Sequence, residues 1–220
     1  MSHKANDYII KDGEFIRDFE SMYEEIEDPW GQNKIAGEDI SIVIALRAIS
    51  YFVLKKNISV KNIMDIGCAD GYHLKNFSDN LKLSEKGRYF GTDISETVIK
   101  RAISESKTSF FQLDFEFHVD DIRKKNKLFV DKMNVIFCSR TIYYVAPEIE
   151  VALDNITSYI SKEGIFCFIY NQKEDSFSNK WLTYESLRGK LLDRGYNELL
   201  ICKNFCFSDE ITVIGVYQIS

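Results

Sequence analysis

Two short stretches combine small residues with acids at a spacing that can hold a ligand. In Asn62-Ile63-Met64-Asp65-Ile66-Gly67-Cys68-Ala69-Asp70-Gly71-Tyr72-His73, an apolar run enters a glycine-punctuated turn and then opens a helical pattern. In Tyr89-Phe90-Gly91-Thr92-Asp93-Ile94-Ser95, a second apolar run ends on a carboxylate just before another helical stretch. Glycines let the backbone approach a ligand, and a carboxylate at the tip of a strand accepts hydrogen bonds from ribose hydroxyls. Two consecutive βα units of this kind make an adenosine-binding frame.

The glycine order separates two chemistries. A dinucleotide turn needs G-x-G-x-x-G, with the pyrophosphate on the helix N-terminus. Here Ala69 stands at the middle glycine, and His73 lies where no third glycine occurs in register. The pair of segments resembles the first and second motifs of the class I S-adenosylmethionine-dependent methyltransferases. The resemblance covers residues 60–172 well and both ends loosely. It implies an acid, Asp65, near the cationic amino-acid end of the cofactor, where a diphosphate would be repelled and a sulfonium amino acid would not. It also assigns Gly67, Cys68, Ala69, Gly71, Asp93, Ile94, Asp121, Ile122 and Ser139 to S-adenosylmethionine, with Asp121 and Ile122 at the adenine and Asp120 as the near miss. The Asp28-Pro29-Trp30 turn resembles a segment of a NodS-like bacterial subset, in which relatives serve carbohydrate, lipo-oligosaccharide or nodulation-factor pathways.

These motifs must be positioned by a sheet. Apolar runs alternating with amphipathic helical patterns predict an α/β doubly wound, Rossmann-like sheet of seven strands, mostly parallel with the last antiparallel. The expected strands are Asn62–Gly67, Arg88–Asp93, a stretch within Phe111–Val119, Met133–Cys138, Gly164–Tyr170, and a closing hairpin of Leu199–Phe205 and Ile211–Gln218. Residues 1–57 read as an N-terminal helical cap and 58–220 as the core of one domain. In the cap, Phe15, Phe19, Met22 and Ile26 predict a helix from Glu14, after residues 1–10, which read as polar and frayed apart from Tyr8, Ile9 and Ile10. A second helix is expected from Asp39 to Lys55, with Ile40, Val43, Leu46, Ala48, Ile49 and Phe52 on its apolar face. Further helices are expected at Pro147–Ile160 and Trp181–Arg194.

The 220 residues are 45% hydrophobic and 14% aromatic, enough for a sizeable core. A net charge of −6 and a pI near 5.2 argue against a nucleic-acid binder, which needs a basic stripe. Five cysteines without histidine partners at ligand spacing read as reduced thiols rather than a zinc site, in a cytoplasmic chain without a membrane span or bound metal. The expected partner is a small-molecule acceptor, and the chain a monomer or homodimer.

Acceptor chemistry is carried by few residues. Arg140, at the tip of the fourth strand, has the planar fork that suits a carboxylate or phosphate, or it pairs with an acid such as Asp28 or Glu148. His73 and Tyr143 are the other catalytic candidates; Trp30, Tyr144 and Asn171 are candidate acceptor contacts. His118 reads as a strand histidine. The reading that follows is O-methylation of a small anionic acceptor, a sugar, phosphate-like or nucleotide-linked precursor of bacterial surface polysaccharide. N-methylation of an amino sugar or other small metabolite is the alternative, and an NAD-dependent reductase a distant one.

Overall fold

The computed structural model describes residues 3–31, 39–81, 83–84, 87–109, 114–173, 180–207 and 210–220. The N-terminal segment holds α1 (His3–Asn6), a hairpin of β1 (Ile10–Lys11) and β2 (Glu14–Phe15), α2 (Phe19–Glu25) and the long α3 (Ile40–Lys55). The core then alternates β3 (Asn62–Ile66), α4 (Tyr72–Asn80), β4 (Arg88–Asp93), α5 (Glu96–Ser109) and β5 (Phe115–Val119). It continues through β6 (Met133–Ser139), a 3-10 segment (Ile142–Glu148), α6 (Ile149–Tyr159), β7 (Ile160–Lys173), α7 (Tyr184–Asp193), β8 (Tyr196–Phe207) and β9 (Glu210–Ile219).

The sheet order is β5-β4-β3-β6-β7-β9-β8. The strands from β5 to β7 pair in parallel, and β9 lies antiparallel between β7 and β8. In the centre, both faces of β3 are covered, and Ile63 and Met64, which point to opposite faces, are both fully buried. Ile63 packs with α3 and α4 in one apolar cluster, and Met64 with α6, α7 and the N-terminal segment in the other. Chain order reverses between β3 and β6, which opens the crevice at the carboxyl ends of these strands where α/β ligands bind.

Several local expectations are corrected. No helix starts at Glu14: Asp12 and Gly13, at φ of 53° and 81°, make the tight turn that pairs Ile10 with Phe15. Arg17 at φ 56° keeps the chain non-helical up to Asp18, whose carboxylate accepts from the Ser21 N–H at 3.2 Å and caps α2. Within the described part of the start, Ala5 is buried in the core and not frayed, and Ile9 is buried with it as expected. On α3 the buried hydrophobic residues are Ile42, Ala45, Leu46, Ala48, Ile49 and Val53; Leu46, Ala48 and Ile49 lie where expected, but Ile40 is exposed and Ile42, Ala45 and Val53 shift the stripe to one side. The helix expected from Pro147 begins at Ile149, because Val145 breaks helical geometry within the preceding 3-10 turns. The helix expected from Trp181 takes its cap from Thr183, whose hydroxyl accepts from the Ser186 N–H.

The fifth core strand begins four residues before Gly164, with a bulge after Ile160 that the left-handed Glu163 accommodates. The part of the third core strand placed at residues 111–113 lies outside the described residues. Cys68, Cys138, Cys167 and Cys202 are free thiols. Among the described residues, no helix is long and apolar enough to cross a membrane, and no cluster of acids, histidines and cysteines has metal-binding geometry.

Candidate active site

The turn after β3 is bent through left-handed backbone at Gly67, Ala69 and Gly71, with φ of 71°, 47° and 85°. A Cβ on Gly67 would overlap the Thr141 side chain, and one on Gly71 would come within 2.7 Å of the Phe117 ring. Both positions therefore need glycine for space as well as for conformation. The turn is tied to the neighbouring strand: the Gly67 and Cys68 N–H groups donate to the Thr92 carbonyl at 2.8 and 2.9 Å. Across from it, the Asp93 carboxylate accepts from the Ala69 and Ser95 N–H groups, both at 3.1 Å. Burial pushes the Asp93 carboxyl up to about 6, against the pull of these N–H donors. The chain thus holds a carboxylate beside the glycine turn with one lone pair of each oxygen committed and the others available.

Asp65 is more unusual. It is 0% exposed, and neither carboxylate oxygen has a hydrogen-bond partner among the described residues. His73 Nδ1 stands 3.6 Å from its Oδ2, and burial raises its pKa. A buried carboxylate without donors costs free energy that a cationic donor group offsets. Ser139 Oγ at the end of β6 is likewise buried without a partner. A ligand with an ammonium at Asp65 and a vicinal diol at Asp93 fits these acceptors, and S-adenosylmethionine has both.

The adenine end departs from expectation. The Asp121 carboxylate is gripped by Arg123 Nε and Nη2 at 2.8 and 2.9 Å, which together with its other contacts holds its pKa down despite burial. Asp120 donates its N–H to the Asp93 carbonyl and accepts at Oδ1 from Asn126 at 2.9 Å. Ile122 is buried, whereas Ile94 is exposed. His118 lies on β5 between the rings of Phe90 and Phe129, 3.4 Å from Glu116.

Opposite the glycine turn the N-terminal segment supplies a wall of rings. Tyr23 on α2 is buried and faces Asp93, Cys68 and Asp70, which add to the burial that raises its pKa well above normal. Its hydroxyl accepts from Trp30 Nε1 at 2.7 Å. Tyr144, in the 3-10 segment, lies 5.8 Å from Trp30, 5.3 Å from Phe19 and 4.4 Å from Tyr143, centroid to centroid. Among the described residues the Tyr144 hydroxyl is buried without a partner at hydrogen-bond geometry, and burial, with the adjacent Tyr143 phenol, raises its pKa well above normal. Glu20 fastens α2 to the start of α5, accepting from Thr97 N and Oγ1 at 3.1 and 2.6 Å. Arg101 donates to the Tyr23 and Glu27 carbonyls, and Arg17 pairs with both oxygens of Glu148 at 3.0 and 2.9 Å.

Arg140 is spoken for. Its guanidinium meets Asp39 at 2.7 Å, Ser41 Oγ at 3.1 Å and Asn171 Oδ1 at 3.3 Å, and Asn171 in turn accepts from Thr212. The partner is neither Asp28 nor Glu148 but the N-cap acid of α3, whose Oδ1 also accepts from Ser41 N at 2.9 Å. Sequence reasoning missed Tyr23, Phe19 and Asp39. An acid before an apolar helical run does signal Asp39 as a cap, but nothing local joins it to Arg140.

Comparison with known proteins agrees with this geometry. A family profile described as a methyltransferase domain matches residues 58–194. No curated protein sequence matches significantly. Among solved structures, the N-methyltransferase NodS from Bradyrhizobium japonicum, in complex with S-adenosyl-L-homocysteine, is similar at TM-score 0.70 and 18% identity over 90% of this chain and 97% of that one. Magnesium protoporphyrin IX methyltransferase from Synechocystis, with bound SAM, is similar at 0.63 and 14% identity over 87% and 84%. The carbon methyltransferase of CurJ is similar at 0.68 and 13% identity over 90% and 59%. At such identities the solved structures establish the fold, and the profile, spanning more than half the chain, establishes the family. The chain belongs to the methyltransferase domain family and is a class I S-adenosylmethionine-dependent methyltransferase.

Proposed function

We propose that the chain methylates an amine nitrogen on a small, ring-bearing acceptor such as an amino sugar. The observation that carries this reading is the wall of neutral phenols and an indole facing the glycine turn. S-adenosylmethionine supplies an electrophilic methyl on a sulfonium that leaves as a neutral thioether. What remains for the protein is to align and desolvate the nucleophile, an effect that lowers a barrier by roughly 7–11 kcal/mol at best. A hydroxyl of ordinary pKa also needs a general base, whereas an unprotonated amine already carries its lone pair. Burial keeps the Tyr23 and Tyr144 phenols neutral at physiological pH, so they offer hydroxyls and not bases. A phenolic oxygen that accepts an amine N–H leaves the nitrogen lone pair directed elsewhere. The buried Tyr144 hydroxyl, which has no partner at hydrogen-bond geometry among the described residues, suits such a contact, and Trp30 offers a flat face to a ring.

The reading of an anionic, O-directed acceptor, including a nucleotide-linked sugar, rested on Arg140. With its guanidinium committed to Asp39, Ser41 and Asn171, that reading loses its anchor. A carbohydrate acceptor fits the aromatic wall equally well with an amino group as its nucleophile. The test is a competition between matched acceptors: an amino sugar, the same sugar with hydroxyl in place of the amine, and its phosphate ester. Each is incubated with S-adenosylmethionine and the product mapped by tandem mass spectrometry. Methyl on nitrogen is expected; methyl transfer confined to the hydroxyl or phosphorylated sugars overturns the reading.

A further inference from the structure

We propose that Asn155 of α6 is a positioning residue for the base of the cofactor, acting on the Asp121 carboxylate through a single peptide plane. The inference rests on the S-adenosylmethionine assignment, which it deepens, and not on the nature of the acceptor.

The strands run β3, β4, β5 across the sheet, so a ligand lying over Asp65 and Asp93 next meets the tip of β5. There the Asp120 N–H donates to the Asp93 carbonyl at 2.9 Å, and Asp121 follows with its side chain 12% exposed. The turn beyond it is held from α6. Asn155 is buried on the same helix as the fully buried Ala152, Ile156 and Tyr159, and its Nδ2 donates to the Ile122 carbonyl at 2.7 Å. Burying an amide costs free energy that this bond offsets, and an apolar residue at 155 could not make it. A trans peptide points its C=O and the following N–H in opposite directions. The peptide joining Ile122 to Arg123 is thus held at its carbonyl by Asn155, while its Arg123 N–H donates to Asp121 Oδ1 at 3.1 Å. The Arg123 side chain completes the grip, with Nε on Oδ1 at 2.8 Å and Nη2 on Oδ2 at 2.9 Å. Lys124 Nζ, 3.8 Å from Oδ2, is beyond hydrogen-bond length. Each carboxylate oxygen accepts two hydrogen bonds, so among the described residues Oδ1 is filled and Oδ2 keeps one place. That place takes a donor such as the exocyclic amine of adenine and repels a carbonyl oxygen. Tyr159, one turn along α6, fastens the same turn by other bonds: its hydroxyl accepts from the Asn126 N–H at 2.7 Å and donates to the Lys124 carbonyl at 3.3 Å.

Two ligands read the base alone. S-adenosylhomocysteine and S-inosylhomocysteine share the ribose and the amino-acid end, and the second carries a carbonyl oxygen in place of the exocyclic amine. A merely loosened fold weakens both alike, whereas a misplaced Asp121 carboxylate lowers the preference between them. Calorimetric titration at one fixed pH should show the native chain preferring S-adenosylhomocysteine by about tenfold or more, the scale of a hydrogen bond to a charged group. Asn155→Ala should cut that preference to about threefold or less, and Asn155→Leu, closer in volume, serves if the smaller variant does not fold. Tyr159→Phe loosens the same turn but leaves the Ile122 carbonyl bonded to Asn155, and should keep the preference within a factor of about two. In an Asp121→Ala background, Asn155→Ala should change the preference no further. A native chain that binds both ligands equally, or an undiminished preference without Asn155, overturns the proposal. So does an equal fall in Tyr159→Phe, or a further fall in the Asp121→Ala background. If the native chain binds neither ligand, the cofactor assignment fails and this inference with it.

Discussion

The two walls of the site are made of different material. The cofactor side, between Asp65 and Ser95, is backbone and carboxylate: three left-handed residues, N–H groups tied to the Thr92 carbonyl, and buried acids at two strand tips. The facing side is made of rings drawn from α2, the Trp30 turn and the 3-10 segment after β6, joined by edge contacts and one hydroxyl bridge. Backbone geometry tolerates almost no substitution, whereas a ring cluster can be repacked with similar side chains. One fold can thus keep a fixed cofactor while its acceptor varies, and the nitrogen- and carbon-directed methyltransferases it resembles fit that division.

The sharpest way to break the contrast is at Gly67. Gly67→Ala places a methyl into the Thr141 side chain at a φ of 71°, combining overpacking with left-handed strain. A cost of about 2–5 kcal/mol is expected, seen as a lower midpoint in urea unfolding, together with loss of detectable S-adenosylhomocysteine binding. Next in size, Asp93→Ala removes a charged acceptor and should weaken S-adenosylhomocysteine by about 1.5–3 kcal/mol in calorimetry. Unchanged affinity would place the ribose elsewhere.

Asp93 also gives a pH signature of its own. Its folded-state pKa of about 6 lies above the ordinary carboxylate value, so the native state binds more protons than the unfolded one between those values. Stability from this group is therefore fully present at low pH and is lost as pH rises through about 6. Relative to Asp93→Asn, the ligand-free native chain should lose roughly 2–3 kcal/mol between pH 4 and 7. A pH-independent difference between the two proteins would contradict the burial that sets the shift.

On the ring side, Tyr144→Phe should leave S-adenosylhomocysteine affinity unchanged and lower kcat/KM for the acceptor by about 1–2 kcal/mol, the scale of one hydrogen bond. Equal losses for both ligands would erase the distinction between the two walls.

How much of this was legible depended on distance along the chain. The cofactor side was readable because strand, turn and acid are contiguous, and the order glycine, alanine, glycine carries its own backbone requirement. The ring side was readable only in part. Trp30 stood out as a loop aromatic, but Tyr23 sits in a helix where an aromatic reads as core until its partners are known. The Asp12-Gly13 hairpin had a local signal, yet the apolar spacing from Phe15 to Ile26 reads as one helix straight across Arg17 and Asp18. Arg140 shows the limit most plainly. Its fork promised a bidentate anion, and the anion proved to be a helix cap on the far side of the sequence.

That last pairing yields the smallest expected effect and the most discriminating one. Arg140 is bent into left-handed backbone at φ 53°, with its N–H donating to the Ile169 carbonyl at 2.8 Å, so its side chain leaves the strand tip at a fixed angle toward α3. Burial alone would raise the pKa of Asp39, but the Ser41 hydroxyl and the arginine together hold it below its ordinary value. Both side chains remain partly exposed, so solvent screening keeps the pair to about 1 kcal/mol in a double-mutant cycle of Arg140→Ala with Asp39→Ala. If the guanidinium is purely structural, Arg140→Ala and Asp39→Ala should both lower stability, Asp39→Ala by more because it also removes the α3 cap, and both should leave acceptor KM within a factor of about two. A KM that rises in Arg140→Ala but not in Asp39→Ala would mean that the arginine also meets the acceptor. That result would return the anionic reading to the ring side of the site.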